Sequence, residues 1–369
     1  MTDQTTQSPA GPDPQASGST TTADALPDAV IASVGDLLAE TGITRDRALI
    51  SRIVSTGLGL GLDGTDRLDL KITAAALTEM REAFRTFAPY DGVPKVTIFG
   101  SARTKADSPL YRQAHDVAAA LAATGWMVVT GAGPGIMQAA TEGAGPGRSF
   151  GVSIRLPFEE QANALINDDP KHVTMKYFFT RKLMLVKESR GFVSVPGGFG
   201  TLDETFELLT LQQTGKAEPT PIVLLDQPGG TFWHGLQRFV DDELIPGGVV
   251  SPDDLDRVLI TDSVEAAVEE INGFWRNYDS LRWVGKRLVL RLRARPTDAE
   301  VEQLAEEFGW MLTEGRIEAT EPLSAERTDK DKLDLPRLVL VLDQYKVGSL
   351  HRLIRAINSL GSAPSAGLT

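Results

Sequence analysis

The sequence predicts an α/β protein built on a doubly wound parallel sheet, with a helical segment before the sheet and a small α+β unit after it. Three observations carry that prediction. Between about residues 93 and 275, six short β-rich runs alternate with helical stretches, and continuous apolar strands each followed by a helix signal a parallel sheet covered on both faces. Three of those runs end in glycine-bearing loops of unusual composition. The hydrophobic periodicity changes on either side of this region, to a helical repeat before it and to alternating strands and helices after it.

The chain has 369 residues, enough for two or three domains, and its 41% hydrophobic content suits a protein with a substantial core. Fifty acidic residues against 37 basic ones give a net charge of −13, which argues against bulk binding to nucleic acid or to an anionic membrane. An anionic ligand must therefore be caught locally. With no cysteine, disulfides, thiolate catalysis and Cys-based zinc sites are excluded. The four histidines, His115, His172, His234 and His351, have no metal-ligand spacing. No metal and no cofactor are expected. Residues 1–25 hold no Lys, Arg or apolar run, and no later segment approaches membrane-spanning length, so a cytoplasmic protein is expected.

In chain order, residues 1–25 are polar and rich in Pro, Gly, Ser and Thr, and they read as a disordered tail. Residues 26–92 read as a helical segment, with "VIASVGDLLAET" and "AAALTEMREAFRTF" repeating apolar residues at three and four. Between them, "GLGLGLDG" matches the dinucleotide fingerprint formally through Gly59, Gly61 and Gly64. That fingerprint needs a strand before it and a helix after it, and here a helical pattern precedes, so the stretch is read as a turn.

The third region, 93–280, holds the runs "KVTIF" (95–99), "WMVVT" (126–130), "FGVSI" (150–154), "FVSV" (192–195), "PIVLL" (221–225) and "VLI" (258–260). Its first long helix shows the local logic. Ser108 is the N-cap, Pro109 the first helical residue, Ala114, Val117, Ala118 and Leu121 one apolar face, and Gly125 the stop. From 281 to 369 the expected α+β unit has strands at "KRLVLRLRA", "RIEAT" and "RLVLVLD", helices at "DAEVEQLAEEFGWML" and "SLHRLIRAINSL", and a loop over "SAERTDKDKLD".

In open parallel sheets, ligands bind beyond the carboxyl ends of the strands, where loops lead into helix N-termini. There the sequence has "GSART" with Gly100 and Ser101, then "GAGPGIMQAA" with Gly131, Gly133 and Gly135, then "PGGFGT" with Gly197, Gly198, Gly200 and Thr201. The second loop lets the backbone approach a ligand closely, but Ile136 stands where a third fingerprint glycine would fall, so an NAD site is not supported. The third loop reads as a phosphate cradle, its glycines and the Thr201 hydroxyl beside free helix N–H groups. Beyond it Leu202, Phe206 and Leu209 share one face and should anchor the helix to the sheet. Glu204 and Glu207 share another that can look into the crevice, although acids in a first turn are also favoured by the helix dipole alone. Upstream, "YFFTRKLMLVKESR" sets Arg181 and Lys182 in an aromatic and apolar context near the crevice mouth.

Together these residues resemble the LOG family, the phosphoribohydrolases of nucleoside 5'-monophosphates formerly labelled lysine decarboxylases. An Arg-Lys dipeptide, Arg181-Lys182, accompanies the PGGxGTxxE motif, Pro196 to Glu204. "GSART", "TGAGPGIMQAATEGA", "LPFEEQAN" and "LTLQQTGK" extend the similarity over about residues 95–275. The resemblance implies a Rossmann-like catalytic domain and hydrolysis of the N-glycosidic bond of a nucleotide such as AMP or a cytokinin riboside monophosphate. It implies catalytic roles for Arg181 and Glu204, and a homodimer or higher homo-oligomer. Ala132 departs from it, replacing the middle glycine of the usual triple-glycine loop. The older decarboxylase label finds no lysine in a cofactor-anchoring context.

Charge gives the mechanism its outline. Cleavage of an N-glycoside builds positive charge on the ribose, so a fixed carboxylate near the anomeric carbon lowers the barrier. At a helix N-terminus Glu204 is expected to stay ionised. The competing expectation is a binding or carrier protein that holds a nucleotide or another phosphorylated cofactor without cleaving it, because fold does not fix function.

Overall fold

The computed structural model describes residues 27–155 and 163–365. The tail, 1–25, and most of "LPFEEQAN", 156–162, lie outside the described residues. The described residues fall into two compact units divided after Ala75.

The first unit comprises α1 (Asp28–Glu40), α2 (Arg47–Leu62) and the start of α3 (Arg67–Phe87). Val34 and Leu38 of α1 are buried. The reading of "GLGLGLDG" as a turn is corrected here, because α2 runs on to Leu62 and encloses Gly57, Gly59 and Gly61. The alternating leucines are good helix formers, and each glycine costs only about 1 kcal/mol in a helix interior. The turn is confined to Asp63 and Gly64, the latter at φ +66°. There Gly64 N–H donates to Gly61 O and Thr65 N–H to Leu60 O, the paired bonds of a Schellman stop.

The second unit begins in α3 and contains a seven-stranded parallel sheet: β1 (Lys95–Phe99), β2 (Met127–Thr130), β3 (Ser149–Ile154), β4 (His172–Met175), β5 (Gly191–Ser194), β6 (Ile222–Leu225) and β7 (Val258–Thr261). Their order is β4-β3-β2-β1-β5-β6-β7. The six predicted runs are present to within a residue. β4 was not foreseen, because it is an edge strand with only Val173 and Met175 buried and follows a polar stretch that hides its alternation.

Helices cover both faces. α4 (Pro109–Ala123), α5 (Ile136–Ala144) and α9 (Val264–Gly273) pack with Val96, Ile98, Val128 and Val193 on one side. The end of α3, with α6 (Phe178–Lys187), α7 (Phe199–Gln213) and α8 (Phe232–Phe239), packs with Phe99, Phe150, Val152 and Phe192 on the other. In α4 the Ser108 hydroxyl accepts from Leu110 N–H, Ala114, Val117, Ala118 and Leu121 are buried, and Gly125 ends the helix at φ +101°.

A four-stranded antiparallel sheet follows, ordered β10-β11-β9-β8. Its strands are β8 (Tyr278–Val284), β9 (Arg287–Leu292), β10 (Leu312–Ala319) and β11 (Arg337–Leu342), accompanied by α10 (Asp298–Phe308), α11 (Ser324–Asp329) and α12 (Leu350–Asn358). Leu288, Leu290, Leu338 and Leu340 of this sheet and Leu353 and Ile357 of α12 share a continuous core with the α4/α9 side of the parallel sheet. The expected loop "SAERTDKDKLD" is corrected in part, since Ser324–Asp329 is helical. Glu326 there is fully buried, accepts from Leu323 N–H, and meets Arg291 at 2.9 Å and Arg337 at 2.8 Å. A stretch that reads as solvated charge is instead pulled in by two buried cations.

Candidate active site

The strand order makes β1 and β5 the switch point of the sheet: the chain runs from β1 out to β4 on one side and from β5 to β7 on the other. Crevices form where strand order reverses. The loops after β1 and β5 therefore diverge around one opening, and the loop after β2 borders it.

These loops touch. Ile136 N–H donates to Ser101 O at 3.1 Å, and Gly135, at φ +66°, lies so close to Ser101 O that a Cβ would overlap it. Gly100 packs against the Ile136 side chain, and Gly197 against Thr201 with Ser101 N close by. The Ser101 hydroxyl is taken up within its own loop, accepting from Arg103 N–H at 3.1 Å. Gly133 lies against the Met137 methyl. Ala132 is buried at φ +61°, a left-handed conformation that glycine adopts freely and alanine adopts at a cost.

Gly198 is the N-cap of α7, and among the described residues no side chain caps this helix. Gly198 and Gly200 face open space, so the first-turn N–H groups are available to an anion. Thr201 lies further in than its expected place at the helix start. It is the third helical residue, its side chain buried against Gly197. The anchoring face of α7 also differs from the expectation. Thr201, Thr205, Leu208 and Gln212 are buried, while Leu202 and Leu209 are half-buried and Phe206 is exposed. Polar residues can face the sheet because they are bonded there. The Ser194 hydroxyl pairs with that of Thr205 at 2.9 Å, Thr205 donates to Thr201 O, and Gln212 donates to Thr220 O.

Arg181 and Glu204, 23 residues apart, come together. Arg181 Nη1 donates to Glu204 Oε1 at 3.2 Å and Nε to Val152 O at 2.9 Å. Both side chains are about one-tenth exposed, 11% and 13%. Lys182 turns to the same helix, reaching Asp203 at 2.7 Å and Glu207 at 2.9 Å. Burial disfavours its charge, but those hydrogen bonds outweigh burial and raise its pKa. The Arg-Lys dipeptide thus clips α6 to α7 through three acids, and Glu207 serves Lys182 here.

The sequence-based expectation that Glu204 stays ionised is corrected. Burial pushes its pKa up from 4.5 to about 7, against the pull of Arg181 and Lys182 and with the added push of Asp203 and Glu207. Its place in the first two turns of α7 does not offset the loss of water around the carboxylate. Two partners escaped the sequence reading. Val152 O is a backbone atom and leaves no trace in residue type. The close contact between Gly131 and Arg181 was also missed: a Cβ on Gly131 would overlap the guanidinium.

The family described as "Possible lysine decarboxylase" matches residues 135–271. A cytokinin riboside 5'-monophosphate phosphoribohydrolase of Mycobacterium tuberculosis is 33% identical over 164 residues, 43% of this chain and 83% of that protein. One from Mycobacterium marinum is 32% identical, covering 43% and 84%. Among solved structures, a molybdenum cofactor binding protein from the phototrophic bacterium Rippkaea orientalis overlaps 48% of this chain and 94% of its own at 20% identity, with a TM-score of 0.34.

Proposed function

The chain belongs to the LOG family of phosphoribohydrolases, and from that premise we propose that it hydrolyses the N-glycosidic bond of nucleoside 5'-monophosphates, AMP or a cytokinin riboside monophosphate among them, to free base and ribose 5-phosphate. The observation that carries this reading is the buried Arg181–Glu204 pair at 3.2 Å, one turn beyond a helix N-terminus left open by glycines. A phosphate-binding protein needs the glycines but neither of these two charges.

In this reading the 5'-phosphate sits on the first-turn N–H groups of α7, which leaves the ribose toward Glu204. As the bond from C1' to the base nitrogen breaks, the ring gains positive charge and the Glu204 carboxylate stabilises it. Arg181 holds that carboxylate in place and assists the departing base. Water adds at C1', and its proton balances the one the base takes up.

Incubation with AMP, GMP, CMP and UMP, with chromatography of the products, tests the reading. Release of a base from at least one nucleotide is expected. Binding with no release from any of them would leave the carrier reading instead.

The Glu204 pKa sets the pH dependence. If the carboxylate is the active form, kcat/KM rises with pH through a limb near 7. A flat profile between pH 5.5 and 8.5 would count against Glu204. The same shift has a sign for stability. The folded protein holds this proton more tightly than the unfolded chain, so the contribution is present at low pH and is lost as pH rises from about 4.5 to about 7.

A Cβ at Gly198 meets no described neighbour within 4 Å, so Gly198→Val should leave the fold in place. The branched side chain would cover the open N–H groups. Affinity for AMP and for ribose 5-phosphate should fall together, by about tenfold or more, which calorimetry measures. Loss for one ligand only would refute the shared phosphate anchor.

The wider assignment follows the same reading. The chemistry belongs to residues 93–280, with 26–92 and 281–369 as accessory segments. Exposed Phe178, Phe179 and Leu183 on α6 and Phe199 and Phe206 on α7, with Phe199 93% exposed, support a homodimer or higher homo-oligomer built on that face. The cytoplasm, where nucleoside monophosphates are found, is the proposed location. Among the described residues no helix is long and apolar enough to cross a membrane.

A further inference from the structure

The N-terminus of α6, which carries Arg181, is held by a residue from outside the catalytic region. α6 starts after Tyr177, which makes no side-chain cap, and its first turn has no acid. A helix start of that kind leaves N–H groups and a partial positive charge unanswered. Glu79 of α3 lies beside that start, bonded to the residue before the N-cap and to a first-turn side chain. Its Oε1 accepts from Lys176 N–H at 2.9 Å and its Oε2 from the Thr180 hydroxyl at 2.8 Å. Glu79 is 8% exposed and Thr180 fully buried. Three further contacts tie this part of α3 to the same face of the sheet. Ala83 and Phe87 lie in its core, Phe87 stacks on Phe150 with centroids 4.4 Å apart, and Lys187 of α6 lies over the Phe84 ring at 5.3 Å. Glu79 thus holds Lys176 with one oxygen and Thr180, the residue before Arg181, with the other, on either side of the N-cap Tyr177, whose carbonyl shares the single Thr180 hydroxyl proton at 2.8 Å.

We propose that Glu79 is a positioning residue for Arg181: α3 braces the start of α6 at Lys176 and Thr180 and thereby fixes where the guanidinium meets Glu204. The inference rests on the nucleosidase reading. It gives the end of α3, before the sheet, a role in the chemistry through α6. Displacements of about 1 Å at a reacting group cost up to about 100-fold in rate, so a loosened α6 start should act on kcat before it acts on KM.

The test compares wild type with Glu79→Ala, Glu79→Gln, Thr180→Val and a control, Leu353→Ala, in the remote core of α12. For Glu79→Ala, kcat on AMP should fall by about tenfold or more with KM within about threefold. The acidic limb of the pH profile should also move upward, because a displaced Arg181 no longer holds the Glu204 pKa down. Glu79→Gln keeps an acceptor for Lys176 N–H and a partner for Thr180, so it should recover most of kcat. Thr180→Val, nearly isosteric, should shift the limb in the same direction by less. Leu353→Ala should lower the melting temperature and leave both the limb and kcat in place. In the Arg181→Ala background, Glu79→Ala should cost less than about threefold more. An unchanged kcat and limb in Glu79→Ala overturns the proposal, as do losses that multiply with Arg181→Ala. If Glu79→Ala does not fold, unchanged values in both Glu79→Gln and Thr180→Val overturn it. A wild type that releases no base sinks the nucleosidase reading and this inference with it; an active wild type matched by Glu79→Ala sinks this inference alone.

Discussion

Glu204→Gln should lower kcat by about 100-fold or more while AMP affinity stays within a few-fold of wild type. The substitution keeps the side chain's length and one acceptor oxygen for the Arg181 guanidinium, now 3.2 Å from Glu204 Oε1. It removes the charge, and only the charge responds to the ribosyl cation. On the proposed reading the nucleotide's phosphate sits a turn earlier and is left alone, so the loss should fall on the chemical step. Two accompanying results follow from the buried carboxylate. The limb of the pH profile near 7 should vanish, since the group that titrates there is gone. The melting temperature should also lose the decline that Glu204 ionisation imposes between about pH 4.5 and 7. Calorimetry gives the affinity and chromatography of released base the rate; hydrolysis at the wild-type rate would remove Glu204 from the mechanism.

How far the sequence could carry this depends on which physical signal each element leaves. The strands of the parallel sheet were legible because both faces are buried and the runs are mostly apolar, as in "KVTIF", where all five residues are buried and the two polar ones are bonded, Lys95 to Tyr90 O and Val93 O and Thr97 to Leu185 O. β4 left a weaker signal, since an edge strand buries only alternate residues. α2 through "GLGLGL" was misread because glycine lowers helix propensity without forbidding the helix, and the Leu neighbours outweighed it. α11 was hidden for another reason. Glu326 belongs to the core only because Arg291 and Arg337, 35 and 11 residues away along the chain, bring their charges to it.

The site divides in the same way. Residue type pointed to the glycines as a phosphate cradle, and the resemblance carried by Arg181-Lys182 and Pro196 to Glu204 pointed to Arg181 and Glu204. Environment did not show. The dipole argument for Glu204 weighed a fraction of a charge at the helix end, whereas its burial between α6 and α7 is a tertiary property, and the larger effect won. Glu79 sits in a helical stretch far upstream, among other acids and bases of an amphipathic repeat. Only the packing of α3 on α6 tells it apart.

Arg181→Ala should reduce kcat by about 100-fold, and Gly131→Ala should reproduce most of that loss although it leaves every charge in place. The reason is steric. Gly131 follows the last residue of β2, and a methyl group there would occupy the volume of Arg181 Nη2. The guanidinium is tethered on its other side by Val152 O at 2.9 Å and Glu204 at 3.2 Å, so it cannot retreat without breaking one of those bonds. Once the arginine is truncated the methyl group has room. The double variant Gly131→Ala/Arg181→Ala should therefore be no more than about threefold worse than Arg181→Ala alone. Adding Glu204→Gln to Arg181→Ala should likewise cost far less than the product of the single losses, because the two side chains act as a unit. The Met137 thioether lies 2.8 Å from the same Cβ position, and it offers the competing explanation. Met137→Ala would relieve a clash with sulfur and not one with the guanidinium. If that change restores kcat to Gly131→Ala, or if Gly131→Ala keeps the wild-type kcat, then the glycine is not there to make room for Arg181.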